Sequence, residues 1–352
     1  MNGPPAQIAA QVVRWQAGHG RNQLPWQNTR DAYRVWLSEI MLQQTQVATV
    51  REYYARFLAR FSDVRQLAAA PQDEVLALWS GLGYYSRARN LHRCAQIVVD
   101  QHGGEFPRTV HELAALPGIG RSTAGAIAAF CFGVRAPILD ANVRRVLTRV
   151  LGFGADLAEA RNERALWGLA EALLPDTDLP SAMPRYTQGL MDLGAGICLP
   201  RSPHCMLCPL QQVCVAGRAG DAERYPVRTR KLKRRAEAWW LLLREDGAGR
   251  LWLERRAPVG IWAGLYCPPV YASRHALDEA LAPMVRSEVR DLPAFTHVLT
   301  HRDLHLHPVL ARGDAAGLAG RCHDASAADW FAAAQWQNLG LPAPVRKLLD
   351  AL

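Results

Sequence analysis

The sequence predicts two domains, a mainly α-helical one followed by an α+β one. At 352 residues the chain exceeds one typical domain, and its hydrophobic content of 49% is ample for a packed core. Residues 1–223 show helical periodicity interrupted by Pro and Gly, whereas from residue 236 several stretches read as strands. Residues 224–235 contain a proline and many cations, which is typical of a linker. We therefore expect a helical domain at 1–223, a basic linker at 224–235 and a second domain at 236–352.

The elements follow from the same patterns. Helices are predicted at Ala32–Phe61, Asp73–Trp79, Ala88–His102, Ser122–Phe132 and Val143–Leu151. Strands are predicted at Ala238–Arg244, Arg250–Arg255 and Thr296–Leu310, with turns at Asp246-Gly247 and Pro268-Pro269.

The charge balance points to a polyanionic partner. Lys and Arg number 41 against 32 Asp and Glu, a net charge of +9. Nucleic acid is the first expectation, because neutralised phosphates release condensed counterions, although a surplus of arginine for solubility is the alternative. No apolar run reaches membrane-spanning length, and residues 1–13 lack a basic start followed by an apolar core. We expect a soluble, intracellular protein without membrane contact.

Four of the eight cysteines lie within seventeen residues, as C-x6-C-x2-C-x5-C. Thiolates are soft ligands that select zinc, copper(I) or iron-sulfur clusters, and four in one loop can close around one inorganic core. Disulfides suit small secreted domains better than this chain. The pattern favours a metal site, and counting alone leaves zinc and iron-sulfur open. The four residues are Cys198, Cys205, Cys208 and Cys214.

A glycine-rich turn precedes an apolar helix in the first domain. In Leu116-Pro-Gly-Ile-Gly120 the two glycines, Gly118 and Gly120, permit a tight turn, and the free N–H groups of the following helix attract an anion such as a DNA phosphate. An ordinary turn between helices would look the same. Twenty residues after Gly120, Asp140 follows an apolar triplet and opens another helix, where it can also act as N-cap.

Glu39 lies on an otherwise apolar helical stretch, Val35 to Leu42. Burial of its carboxylate would be costly and would raise its pKa, so a protonated Glu39 could act as a general acid near neutral pH. The alternatives are rotation to solvent or pairing with a neighbour such as Arg34.

These motifs together resemble a known family. The glycine turn with its Asp, and the downstream cysteine loop, are similar to the helix-hairpin-helix glycosylases of the endonuclease III superfamily. Three further segments resemble the MutY-type adenine DNA glycosylases specifically. The resemblance as a whole covers nearly the whole chain and keeps the order of the motifs. They are Trp36-Leu-Ser-Glu-Ile-Met-Leu-Gln-Gln-Thr-Gln-Val47, Gly81-Leu-Gly-Tyr-Tyr-Ser-Arg87 and Met191-Asp-Leu-Gly194. The resemblance implies an all-helical glycosylase domain with a [4Fe-4S] loop at 198–214, followed by a MutT/Nudix-like α+β domain.

The resemblance also implies a mechanism. Glu39 would protonate adenine N7, Asp140 would stabilise the oxocarbenium-like sugar, and Asn142 would hold the sugar or a water. Ser122 stands where bifunctional relatives carry a lysine that forms a Schiff base, so water should complete the reaction and leave an abasic site. Arg144 is too basic for imine chemistry, so negligible strand cleavage is expected.

Further residues are assigned to DNA by the resemblance. An adenine must be flipped out of the duplex before it can react. Wedge and opposite-base roles fall to Gln43, Gln44 and Tyr84, and adenine contact falls to Gln188. Contact with the DNA backbone is assigned to the hairpin residues Gly118, Gly120 and Ser122 and to Arg201. Reading of 8-oxoguanine is assigned to Thr300 and His301. Leu299-Thr300 replaces the more common Phe-Ser. His297, His301, His305 and His307 would spread over about 33 Å of one strand, which excludes a shared ion.

The predicted substrate is therefore duplex DNA with adenine opposite 8-oxoguanine, or opposite guanine, bound by a monomer in the cytoplasm at the nucleoid. Three alternatives remain. An endonuclease III-like glycosylase-lyase for oxidised pyrimidines is disfavoured by Ser122 and by the second domain. A non-catalytic iron-sulfur DNA-binding protein is disfavoured by the coexistence of Glu39 and Asp140. A nucleotide hydrolase is disfavoured because the second domain lacks the glutamate-rich metal box of MutT.

Overall fold

The computed structural model describes residues 4–229, 234–282, 288–313, 328–336 and 338–352. They form two compact units, each discontinuous in sequence. The first contains Met1–Ala68 and Arg93–Lys231, and the second contains Ala69–His92 and Leu232–Leu352. Residues 69–92 thus pack with the C-terminal part of the chain, although the linker position had placed them in the first domain.

Helices account for the ordered structure before residue 229. They are α1 (Pro4–His19), α2 (Ala32–Leu42), α3 (Val47–Arg60), α4 (Val64–Ala69), α5 (Gln72–Trp79), α6 (Ser86–His102), α7 (Val110–Ala115), α8 (Arg121–Phe132), α9 (Ala141–Leu151), α10 (Ala160–Ala172), α11 (Leu179–Asp192) and α12 (Val215–Ala219). A π-helical turn at Leu193–Ile197 continues α11, and 3-10 turns lie at Cys205–Leu207 and Ala222–Arg224.

The stretch predicted as one helix over Ala32–Phe61 is two helices. Gln43 leaves α2 with ψ 110°, and Gln44 adopts a left-handed φ of 58° that an α-helix cannot continue. The apolar periodicity runs through the break because both α2 and α3 bury one face in the same unit, so the pattern alone did not reveal the turn.

The segment leading to Asp140 lies directly on α8. A side chain at Gly125 would place its Cβ 2.5 Å from the carbonyl oxygen of Pro137, so this approach requires glycine. Other residues of α8 near Gly125, including Ala124 and Ala128, are also small and buried. The small residues of α8 therefore allow residues 134–140, which lead to α9, to pack against α8.

The second unit contains a mixed β-sheet with helices beside it. Its strands are β1 (Arg235–Glu245), β2 (Leu251–Arg255), β3 (Tyr266–Cys267), β4 (Val270–Tyr271), β5 (Glu288–Asp291), β6 (Phe295–Val298), β7 (Arg302–Arg312) and β8 (Ala328–Phe331). The main path is β3-β2-β1-β7-β5, in which β1 and β7 are parallel. In addition β4 pairs with β1, β6 with β7 and β8 with β2. Helices α13 (Arg274–Leu281), α14 (Ala333–Trp336) and α15 (Ala343–Leu349) complete the unit.

The strand predicted over Thr296–Leu310 is a hairpin. Strands β6 and β7 pair antiparallel, with Thr296 opposite His305, and residues 299–301 form the turn. The expected 33 Å spread of the four histidines was therefore wrong. Three of them make separate contacts: His305 Nδ1 lies 3.0 Å from Thr296 Oγ1, His307 stacks on Trp240, and the ring of His297 lies 6.0 Å from that of Trp262 at a tilt of 46°.

The beginning of the predicted linker is packed rather than free. Tyr225 is buried against Ala216 and Ala222, and the carbonyl of Val227 accepts a hydrogen bond from the Leu157 N–H at 3.0 Å. Residues 230–233 of the predicted linker lie outside the described residues, and Arg235 already belongs to β1. Both described ends of the predicted linker are therefore packed or hydrogen-bonded, at Tyr225 and Val227 and at Arg235.

In the described part of the chain, no helix has the length and apolar character needed to cross a bilayer.

Candidate active site and cysteine loop

A cleft of about 690 Å³ opens in the first unit. This volume suits a single flipped nucleotide or a small molecule. Its walls combine apolar and aromatic side chains with convergent polar groups, among them Trp26, Val35, Glu39, Phe130, Arg185 and Gln188. Glu39 and Gln188, assigned from two distant sequence motifs, therefore line the same cleft.

Glu39 is held on α2 between fully buried neighbours. Trp36 and Leu37 have no exposed surface and Ile40 is buried, so the helix is fixed against the core while the carboxyl, itself half-buried, lines the cleft. Burial, together with the smaller effect of the nearby Asp140 charge, raises the pKa of Glu39 to about 8. Arg34, considered as a partner for Glu39, instead pairs with Asp31 at 3.6 Å. A carboxyl in this state is a proton donor at neutral pH.

Asp140 is the N-cap of α9. Its Oδ1 accepts a hydrogen bond from the Val143 N–H at 2.7 Å. Burial raises the pKa of Asp140, and hydrogen bonds from the backbone N–H groups of Val143 and Asn142 oppose that rise. The capping role considered from the sequence is therefore confirmed, and the charge of Asp140 contributes to the raised pKa of Glu39.

The side chains of Ser122 and Asn142 both accept hydrogen bonds from other residues of the protein. Ser122 Oγ accepts a hydrogen bond from the Leu139 N–H at 3.0 Å, which ties the hairpin helix to the residue just before Asp140. Asn142 Oδ1 accepts from Arg145 at 2.8 Å, and Arg145 also reaches the carbonyls of Gly194 and Cys198. A Cβ at Gly194 would come within 2.5 Å of the Asn142 Cβ, so the Met191–Gly194 motif needs glycine there.

Gln188 is oriented by a buried carboxylate. Its Nε2 donates to Asp192 Oδ1 at 2.8 Å, four residues along α11. Asp192 also accepts from the Arg21 N–H at 2.9 Å and from Arg21 Nε at 2.7 Å. Because a carboxylate only accepts, the amide nitrogen of Gln188 must face Asp192, and the amide oxygen is the end that remains for the cleft.

The glycine turn before α8 lies beside Gln43, the first residue of the α2–α3 turn. Gly118 has φ 78°, which favours glycine, and Gly120 is the N-cap of α8 without a side-chain cap. Gln43 Nε2 is 3.4 Å from Thr123 Oγ1 and 3.5 Å from the Gly118 carbonyl. Gln44 has a left-handed backbone at this turn and is exposed.

Tyr84, Thr300 and His301 belong to the second unit. Tyr84 is 44% exposed, and its hydroxyl lies 2.5 Å from Thr300 Oγ1, a contact between residues 216 positions apart. Thr300 and His301 lie at the β6–β7 turn, which the Leu299 N–H closes on the Arg302 carbonyl at 2.8 Å. Two residues assigned to the same DNA lesion by separate motifs are therefore in direct contact.

All four cysteines of the loop line one apolar-walled cavity, together with Val146, Leu193 and Ile197. Burial is the largest cause that raises the pKa of Cys208 to about 11, and charge on the other three thiols acts in the same direction. Among the described residues, no three His, Cys, Asp or Glu side chains converge on a point that could hold a single ion. Arg201 and His204 are exposed on the same loop, beside the apolar side chains of Met206 and Leu207.

Arg149 lines the same cavity as the four cysteines. Only 1% of its surface is exposed. Its guanidinium donates to Cys198 Sγ at 3.3 Å, to the Leu199 carbonyl at 2.6 Å and to the Pro200 carbonyl at 3.1 Å. The Tyr225 carbonyl accepts a further bond from Nε at 3.2 Å. One buried cation thus joins the start of the cysteine loop to the chain beyond its end.

Sequence reasoning missed Asp192 and Arg149. The four-residue spacing of Gln188 and Asp192 on a helix was the available signal for the first. For Arg149 no such signal existed, because its partners, three backbone carbonyls and the Cys198 sulfur, lie 49 to 76 positions away in the sequence.

Comparison with known proteins identifies the superfamily of each domain. The HhH-GPD superfamily of base excision DNA repair proteins matches residues 37–172, and the NUDIX domain matches residues 238–351. Among solved structures, a thermostable thymine-DNA glycosylase is 30% identical, with a TM-score of 0.55 over 61% of this chain and 97% of that one. An endonuclease III bound non-covalently to DNA, at 23% identity and a TM-score of 0.50 over 60% of this chain and 94% of that one, shares the fold. The fold and site thus define a helix-hairpin-helix protein of base excision repair.

Curated relatives narrow the class. The adenine DNA glycosylase of Buchnera aphidicola subsp. Acyrthosiphon pisum is 34% identical over 96% of this chain and 95% of its own length. The adenine DNA glycosylase of Mus musculus is 45% identical over 58% of this chain and 41% of its own length. The chain belongs to the adenine DNA glycosylase family, whose members are hydrolases of N-glycosyl bonds.

Proposed function

We propose that this protein removes adenine from duplex DNA in which the adenine is paired with 8-oxoguanine or guanine, as a monofunctional glycosylase acting as a monomer at the nucleoid. The observation that carries the proposal is the position of Glu39 in the wall of a cleft of about 690 Å³, where burial raises the pKa of its carboxyl to about 8.

The reaction follows from those two groups. Glu39 donates its proton to N7 of the flipped adenine, and the bond between N9 and the sugar C1′ breaks with its electron pair moving to the base. Asp140, as a carboxylate, stabilises the positive charge on the sugar. Water then adds to C1′ and releases a proton, which leaves an abasic site and free adenine.

Ser122 supports water as the nucleophile. Its hydroxyl is occupied by the Leu139 N–H, and it has no amine to attack C1′. Arg144 offers no imine chemistry either, and its guanidinium donates to Glu163 at 2.6 Å.

One assay tests the proposal. Purified protein is incubated with duplexes carrying A opposite 8-oxoguanine, G, C or T, and with a T opposite G duplex, because a thymine-DNA glycosylase shares the fold. We expect free adenine from the first two duplexes, and strand breaks only after alkali. Release of thymine instead of adenine, or strand breaks without alkali, would overturn the assignment.

Recognition of 8-oxoguanine is assigned to Thr300 and His301 together with Tyr84. The supporting observation is the contact of Tyr84 with Thr300, which sets an exposed aromatic side chain beside a turn of hydroxyl and imidazole groups. An aromatic wedge between base steps and a hydroxyl acceptor next to it are suited to probe one unpaired base.

Gln188 and Asp192 account for the choice of base. The Gln188 Nε2 N–H donates to Asp192, so the amide oxygen of Gln188 is the atom that faces the cleft. This oxygen can accept a hydrogen bond from the 6-amino group of adenine, whereas it would repel the oxygen of a 6-oxo group. We expect Asp192→Asn to slow adenine excision by about tenfold, because the amide can then reverse. Excision of unsubstituted purine, which lacks the amino group, should change little. Equal losses for both bases in single-turnover assays would show that Asp192 acts only on the fold.

The cysteine loop is proposed to hold a [4Fe-4S] cluster. Four thiols around one apolar-walled cavity, with Arg149 and the Gly217 N–H directed at Cys198 and Cys214 sulfur, fit a polynuclear thiolate-bound core. When bound, the cluster would order residues 198–214, so that Arg201 faces a DNA phosphate. It supplies no electron transfer that the hydrolysis needs.

Purified protein should therefore absorb visible light and contain about four iron and four sulfide per chain. Cys208→Ser should lower both contents and the melting temperature. A Cys131→Ser control alters a buried cysteine outside the loop and should keep the iron. Colourless, zinc-containing protein with full activity would contradict this assignment.

A further inference from the structure

Tyr84 sits at the end of a strained loop. Gly81 and Gly83 have φ of 107° and 72°, and Tyr84 itself has a left-handed φ of 49°. A bulky residue in that region is unfavourable, so surrounding contacts must hold it. The loop of residues 81–84, called here the wedge loop, therefore depends on its supports for the position of the tyrosine ring.

Part of that support comes from adjacent helices. Trp79 Nε1 donates to the Gly83 carbonyl at 3.0 Å. Arg87, a buried residue, donates to the Leu82 and Gly83 carbonyls at 3.1 and 3.2 Å, and its guanidinium lies over the Tyr84 ring. These bonds fix the loop backbone locally.

The rest comes from the C-terminal end of the chain. The Leu341 carbonyl accepts from Ser80 Oγ at 3.0 Å and from the Tyr85 hydroxyl at 2.8 Å, so it binds residues on both sides of the wedge loop. Arg346 Nε donates to Ser80 Oγ at 3.1 Å, and its terminal nitrogen donates to the Leu339 carbonyl at 2.9 Å. We call Leu339, Leu341 and Arg346 the C-terminal clamp.

The clamp and the loop also fit sterically. A Cβ at Gly340 would lie 2.7 Å from the Leu76 Cβ, so the chain between Leu339 and Leu341 can approach α5 only because it has no side chain there. The Gly340 carbonyl accepts from the Tyr266 N–H at 2.9 Å, which anchors the clamp to β3. The base of the wedge loop and the sheet that carries Thr300 therefore share one set of supports.

We propose that the C-terminal clamp positions Tyr84 against the Thr300 turn, and that Arg346 is thereby a specificity-determining positioning residue for the base opposite adenine. The proposal rests on the function proposed above. Arg346 reaches Ser80, at the base of the loop, so it acts through the loop rather than on the substrate.

The test measures single-turnover adenine excision and duplex affinity for A opposite 8-oxoguanine and A opposite G. Arg346→Ala should lower the preference for 8-oxoguanine by about 3- to 10-fold, the equivalent of one lost hydrogen bond, while the rate for A opposite G stays within about twofold. Tyr85→Phe removes a single hydroxyl with little risk to folding and should act in the same direction. Arg274→Ala, which breaks exposed ion pairs with Asp278 and Asp291, is the matched control and should leave the preference unchanged.

A double-mutant cycle separates positioning from general destabilisation. If Arg346 works through the Tyr84–Thr300 contact, Arg346→Ala should have less than about twofold effect in a Thr300→Ala background. Any of three results would overturn the inference. The preference could stay unchanged in both Arg346→Ala and Tyr85→Phe, or the excision rates on the two duplexes could fall equally. The effects of Arg346→Ala and Thr300→Ala on the preference could also be fully additive. A wild-type protein that excises adenine without preferring 8-oxoguanine would instead overturn the lesion assignment on which it rests.

Discussion

Glu39→Gln is expected to lower single-turnover adenine excision by about 10³-fold or more, because an amide cannot donate a proton to N7. In the wild type the rate should fall above a pH of about 8, where Glu39 ionises, by about tenfold per pH unit. Rate measurements across a pH range of about 6 to about 10, at saturating enzyme, check both statements. Wild-type rates in Glu39→Gln would remove Glu39 from the mechanism.

Stability gives an internal control for that variant. The pKa of Glu39 is higher in the folded protein, about 8, than its ordinary value of 4.5, so the folded state binds the proton more tightly. The free energy of unfolding should therefore fall as pH rises from about 4.5 to about 8, and the neutral amide of the Glu39→Gln variant should escape this loss. We expect the melting temperature of Glu39→Gln to exceed that of the wild type near pH 8 and to approach it near the ordinary carboxyl pKa of 4.5. An inactive but more stable variant is not inactive through misfolding.

Asp140→Asn is expected to lower excision by about 10²- to 10³-fold, because the sugar loses its fixed anion at the moment positive charge develops. Asparagine still caps α9 through its side-chain oxygen, so stability should change little. Removal of the Asp140 charge also removes one of the causes that raise the pKa of Glu39. The alkaline limb of the residual activity should therefore move to lower pH, which the same pH series measures.

Asp140→Ala is the companion variant. It loses the bond to the Val143 N–H as well as the charge, and should cost about 1 kcal/mol of stability beyond any effect of Asp140→Asn. Equal activities of the two variants, both far below wild type, would assign the loss to charge. Near wild-type activity in Asp140→Asn would contradict a role for the carboxylate.

The helical first part, the change to strands near residue 236 and the two carboxylates could all be predicted from the sequence. Glu39 drew notice because a carboxyl among Trp36, Leu37 and Ile40 is chemically unusual, and Asp140 because an Asp after an apolar triplet can cap a helix. Their catalytic roles came from the family resemblance and stay predictions. The cysteine loop was visible because its four thiols are close in sequence. Each of these signals lies within a few residues of the position it marks.

Other features depend on contacts between distant residues. The packing of residues 69–92 with the C-terminal part of the chain, the Tyr84–Thr300 contact and the burial of Arg149 have no local pattern. Two breaks were also missed, at Gln44 and at residues 299–301, because apolar periodicity continues on both sides of each turn. Register and turn position depend on backbone conformation, which hydrophobic pattern alone does not determine.

The discontinuity of the second unit bears on how such a protein can be dissected or recombined. Leu76, Trp79 and Leu82 are buried in a compact unit whose sheet lies about 150 residues downstream of them in the sequence, so a cut at the basic linker would separate residues that pack together. A fragment ending at the linker would keep Tyr85, Asp73 and Ser80. It would lose their respective hydrogen-bond partners, which are Leu341, Arg255 and Arg346. Exchange of C-terminal domains among relatives would have to preserve these contacts, because residues 69–92 and the downstream sheet form one compact unit in the structure.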